Sequence, residues 1–158
     1  MSNDIRGYIN YLGVINLTSL IIFLERKYNI GIKEIEEDKL YNFPSSVLPS
    51  NERQKFIFII GDDNEYYCPS FLIDYLDYAS EADIGFPVKG KDRLNIVLDV
   101  MSELIETTKA SKIVIALTDS CEIETIKKIN FAEMRDVIHA DFAKYQAPPD
   151  TLYEIICE

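Results

Sequence analysis

The chain has 158 residues, 47% of them hydrophobic and 27% charged, which suits one globular domain over residues 1–158 and excludes a disordered chain. Sixteen Lys and Arg stand against 27 Asp and Glu, for a formal net charge of −11. That balance excludes general contact with phosphate backbones, so nucleic acid is not an expected partner, and it favours fast encounter with cationic surfaces.

The first predicted helix runs through residues 4–28, with a break near Gly13. No charged residue lies between Gly7 and Leu24, a length that raises a membrane span. Asn10, Asn16, Thr18 and Ser19 interrupt the run, and Glu25, Arg26 and Lys27 follow it with no small-residue cleavage site. A buried helix of a cytoplasmic protein is therefore expected, without a span or a signal peptide. Asn16 or Thr18 is a candidate N-cap, and Asn29-Ile30-Gly31 supplies a left-handed stop. Residues 32–38 are acidic and read as a short edge strand or a further helical turn. Pro44, Ser45, Ser46, Pro49 and Ser50 make residues 41–51 a loop, too short to link two domains.

Lys55-Phe56-Ile57-Phe58-Ile59-Ile60-Gly61 has the continuous apolar run of a buried strand. Pro69 fits the first position of a helix in which Phe71, Leu72, Tyr75, Leu76 and Ala79 share one face. Leu94, Val97, Leu98, Met101, Leu104 and Ile105 repeat at helical spacing, and Lys112 to Thr118 reads as a second buried strand. Asp119 with Glu122 forms a capping-box pattern and predicts a short helix at 120–128. A second box, Asn130 with Glu133, opens a helix striped by Phe131, Met134, Ile138, Phe142 and Tyr145 and ended by Pro148 and Pro149. Thr151 to Cys157 closes the chain as a strand. The order predicts an α/β fold, with several helices on a small, partly parallel or mixed sheet of three to four strands.

Signatures of catalysis are sparse. G-x-G-x-x-G, Walker A and G-x-S-x-G patterns are absent, and neither a cofactor nor a metal is assigned. Cys68, Cys121 and Cys157 form no C-x-x-C pair and leave an odd count, so they read as small hydrophobes rather than a disulfide or zinc framework. His139, the only histidine, sits near Arg135 and Asp136 and reads as a boundary residue. One constellation suits a magnesium-dependent hydrolase: Asp62 and Asp63 after the first buried strand, Asp119 and Glu122 after the second. It requires those strands to be parallel neighbours, and the commoner role of such residues is capping and turning.

Residues 56–88 hold no Lys, Arg or His, yet contain Asp62, Asp63, Glu65, Asp74, Asp77, Glu81 and Asp83. The same stretch carries eight of the chain's eighteen Phe and Tyr residues. Carboxylates without local cations repel one another, and beside stiff phenol rings they suit a basic protein partner. Asp62, Asp63, Glu65, Tyr66, Tyr67, Asp74, Asp77, Tyr78 and Glu81 are the candidate partner-binding residues. The runs Asp62-Asp63-Asn64-Glu65-Tyr66-Tyr67 and Asp74-Tyr75-Leu76-Asp77-Tyr78 resemble the acidic, tyrosine-bearing surfaces of bacterial immunity proteins. The resemblance is compositional and covers about twenty residues. It implies a non-catalytic inhibitor whose Asp and Glu fill the phosphate-binding groove of a basic, nuclease-type toxin domain. An acidic secretion chaperone or scaffold is the alternative of another class, and the magnesium-dependent hydrolase is the third.

Overall fold

Residues 5–10 alternate between two sides, Ile5 and Ile9 on one and Arg6, Tyr8 and Asn10 on the other, and a period of two makes a strand. The computed structural model, which describes residues 5–49, 54–61, 90–118, 122–145 and 148–157, accordingly opens with β1 (Ile5–Asn10). The helix predicted over 4–28 is thus confined to α1 (Leu17–Tyr28). Asn16 caps it by accepting from the Ser19 N–H at 3.1 Å, and Asn29 ends it in the left-handed conformation, φ 54°.

The acidic stretch that follows forms an edge strand, β2 (Ile32–Glu34), then single 3₁₀ turns at residues 37–39 and 45–47. β3 (Lys55–Ile60), α2 (Gly90–Thr108) and β4 (Lys112–Leu117) follow in the described chain. β5 (Thr125–Asn130) replaces the helix predicted at 120–128. Ile126 and Ile129, three residues apart, share a face in a helix and not in a strand, and pairing with the last strand along all six residues overrides that spacing. The Asn130–Glu133 box forms as predicted, and after one 3₁₀ turn α3 (Met134–Tyr145) leads to β6 (Thr151–Ile156).

These strands make one six-stranded mixed sheet in the order β2-β3-β1-β4-β6-β5, larger than the three to four strands expected. Every neighbouring pair is antiparallel except β5 with β6. The first four strands with α1 and α2 follow the split β-α-β, ferredoxin-like arrangement. The β5-α3-β6 unit widens the sheet beside β4.

The helices pack on one face. Leu20, Leu24, Leu98, Met101, Ile138 and Phe142 meet Ile5, Ile9, Phe56, Phe58, Ile115 and Tyr153 there. Leu40, Phe43 and Val47 cover Tyr8, Ile57 and Val114 on the opposite face, where the Tyr8 hydroxyl donates to the Val47 carbonyl at 2.7 Å. Of the stripe residues predicted for α3, Phe131 packs half-buried against the core from the preceding turn, and Tyr145 alone departs from it, being exposed. Cys157 is half-buried, while Cys68 and Cys121 lie outside the described residues. Among the described residues, no helix is long and apolar enough to cross a membrane.

Candidate partner-binding surface

β3 delivers the chain to Asp62 at the end of the sheet where β1 and β2 begin, because Ile60 pairs with both Ile5 and Ile32. Gly61 makes the exit. Its φ of 109° suits glycine alone, and its N–H donates to the Gly31 carbonyl at 2.7 Å, beside the end of α1. The predicted binding residues Asp62, Asp63, Glu65, Tyr66, Tyr67, Asp74, Asp77, Tyr78 and Glu81 lie outside the described residues, as does the helix expected from Pro69.

Outside residues 56–88 the chain carries twenty acidic and sixteen basic side chains, close to balance. Among the described residues ten of these charges meet in five pairs: Lys27 with Glu103, Lys55 with Glu37, Lys112 with Glu154, Lys127 with Asp141, and Arg135 with Asp99. The exposed pairs among them add little stability individually, unlike Lys127 with the buried Asp141, but all five cancel the field locally. The remaining seven units of negative charge therefore belong to residues 56–88.

The described residues add a second acidic feature at the end of the sheet away from Gly61, since β2 runs antiparallel to β3 and Glu37 meets Lys55 at the start of β3. Glu34, Glu36, Glu37 and Asp38 are all exposed on and after β2, the strand beside β3. Glu34, Glu36 and Glu37 rim an open cleft of 630 Å³ whose apolar lining is Ile35 and Ile57 and whose cations are Lys39 and Lys55. Exposed Tyr41 stands near it in sequence and stacks on the Arg6 guanidinium, 5.2 Å from the ring centre. Sequence reasoning noted the acidity of residues 32–38 but did not assign them to a surface. Their signal was the run of four carboxylates with only Ile35 between them.

The magnesium constellation loses its premise. β3 and β4 run the same way but are not neighbours, since β1 lies between them and pairs with both. Two strand spacings put their ends roughly 10 Å apart. Glu122, exposed, leads towards β5 at the far edge, and Asp119 lies outside the described residues with Asp62 and Asp63. Among the described residues no group of three His, Cys, Asp or Glu is placed to hold a metal ion. His139 is half-buried, as a boundary residue, with Nε2 2.6 Å from Asn95 Oδ1.

Two phenols are structural rather than available to a partner. Burial pushes the Tyr8 hydroxyl up to about 12, with Glu154 and Glu37 acting in the same direction. Burial and then the hydrogen bond to Asp141 push Tyr153 further still. Both folded-state values lie above that of an exposed phenol, so the neutral forms stabilise the fold. This stabilisation is complete below about pH 10 and is lost as pH rises through the folded values. Urea unfolding between pH 9 and 12 is expected to show stability falling by up to about 1.4 kcal/mol per pH unit for each phenol. A Tyr8→Phe variant is expected to show a shallower alkaline slope, and an unchanged slope would contradict the assignment.

No protein family, no curated protein and no solved structure matches the chain.

Proposed function

We propose that this protein is a non-catalytic inhibitor that binds a basic protein, of the kind an immunity protein makes with a nuclease-type toxin. One observation carries the reading: residues 56–88 bring seven carboxylates and no cation, while the rest of the chain, with twenty acidic and sixteen basic side chains, is nearly balanced. Such a concentration of like charge costs folding stability through self-repulsion, and a cationic partner offsets that cost on binding. Carboxylates at the mouth of a phosphate-binding groove compete with substrate directly, and Tyr66 and Tyr67 add stiff contact area.

The test is affinity capture from lysate of the source cell at about 50 mM and about 500 mM salt, since screening shortens the reach of charge. A basic partner, held at low salt, released at high salt and losing its enzymatic activity when bound, is the expected result. A captured partner that is acidic, or an affinity indifferent to salt, would contradict the proposal. A stable dimer that holds an unfolded segment would favour the chaperone instead.

A further inference from the structure

Helix α1 carries two apolar stripes, where a surface helix needs one. Leu20 and Leu24, flanked by Leu17, Ile21 and Tyr28, pack into the core. The second stripe, Ser19, Ile22, Phe23 and Arg26, recurs at i, i+3, i+4 and i+7 and lines a shallow depression of 530 Å³ with Lys27. Ile22 is 42% and Phe23 53% exposed, and Leu12 and Val14 in the preceding turn are exposed as well. Four of the seven large exposed hydrophobics among the described residues thus fall within residues 12–23. Ile22 and Phe23 share the depression, and adjoining exposed apolar side chains mark an interaction site more often than scattered ones do.

The rim is cationic, in a chain of net charge −11. Arg26 and Lys27 occupy the last turn of α1, and no acidic residue occupies the first. Lys27 donates to Glu103 of α2 at 2.6 Å and lies 5.6 Å from the Phe23 ring centre. Arg26 is exposed and has no ion-pair partner among the described residues.

We propose that this face of α1 docks an amphipathic segment of a partner protein, one that presents apolar side chains flanked by Asp or Glu. Charge selects the occupant. A second copy docked through the same face sets Arg26 and Lys27 against their own equivalents in a parallel pairing. In an antiparallel pairing it sets them against a helix N-terminus whose positive dipole no carboxylate offsets. A carboxylate beside Leu or Phe meets Arg26 and incurs neither penalty. An anionic bilayer has the right sign, but its broad surface faces the whole acidic chain. A peptide senses chiefly the charges within about 8 Å of its contact. The lining of the α1 depression includes Arg26 and Lys27, whereas residues 56–88 carry no cation.

The test titrates the full chain into a labelled helical peptide of about 16 residues, with Leu and Phe at i and i+4 and Glu on the flanks, followed by anisotropy. Saturable binding is expected, weakened about tenfold or more in both Phe23→Ser and Arg26→Glu. Both positions are exposed, and circular dichroism confirms that the variants fold. A twin peptide with Lys for Glu controls for the acidic segment, and its binding is expected to be indifferent to both variants. The proposal is overturned if the Glu peptide does not bind, or binds both variants as tightly as the parent. Light scattering that shows a dimer abolished by Phe23→Ser would assign the face to self-association and overturn it. So would cosedimentation with 3:1 phosphatidylcholine–phosphatidylserine vesicles that Phe23→Ser abolishes.

Discussion

A Gly7→Ala variant is expected to lose about 3 kcal/mol of stability, and Gly7→Val to yield no folded protein. A Cβ at Gly7 stands 2.3 Å from the Val114 carbonyl oxygen and 3.3 Å from the tip of the Phe58 ring. The nearest atom is backbone, so relief requires β1 and β4 to part in the middle of the sheet, where Gly7 pairs with Ile115 on one side and Phe58 on the other. Shortening Phe58 in the same chain is therefore expected to give no rescue. Three kcal/mol is a large share of the 5–15 kcal/mol of a typical domain. Urea midpoints measure it, and a loss below about 1 kcal/mol would contradict the close approach of these strands.

Removing the Asp141 carboxylate has a comparable effect through a different cause. Asp141 is buried on α3, where both oxygens accept from Lys127 Nζ of β5 at 2.8 Å and Oδ2 also accepts from the Tyr153 hydroxyl of β6 at 2.7 Å. One side chain thus ties the helix to both strands of the added β-α-β unit. Asp141→Ala strands a buried hydroxyl and a half-buried ammonium, and is expected to cost about 2–4 kcal/mol. The lower part of that range reflects Lys127, which is exposed enough to turn towards water. Asp141→Asn keeps an acceptor for Tyr153 and is expected to lose less. In an Asp141→Leu, Lys127→Met double variant neither charge remains, so much of the loss is expected to return. Thermal unfolding of the four proteins tests this. An Asp141→Ala variant as stable as the parent would remove the tie from the account.

The strands that bury both faces were legible. β3 and β4 are continuous apolar runs because covering layers lie on either side of them, and α2 shows its core stripe without interruption. Caps were legible as well, since Asn16, Asn29 and the Asn130–Glu133 pair act within their own turns. β1 was hidden by its central position: buried nearly throughout, it merges with the apolar α1 into one uncharged stretch, and only the alternation of Ile5 and Ile9 with Arg6 and Tyr8 marks it. β5 was hidden by the opposite cause, since an exposed edge strand needs few apolar residues and takes its conformation from β6. The insertion of β1 between β3 and β4, which separates the ends of those two strands, is a non-local fact that no spacing along the chain records. For the surface, composition located the excess negative charge, whereas the outward face of α1 was masked because its residues match those of a core helix.

The affinity of an Asp62→Lys, Asp63→Lys, Asp77→Lys variant for the captured basic partner, measured by calorimetry at low salt beside the parent protein, bears most directly on the proposed function. With folding confirmed by circular dichroism, the three reversals are expected to weaken binding by about a hundredfold to a thousandfold. A folded variant that binds as tightly as the parent would show that these carboxylates do not recognise the partner.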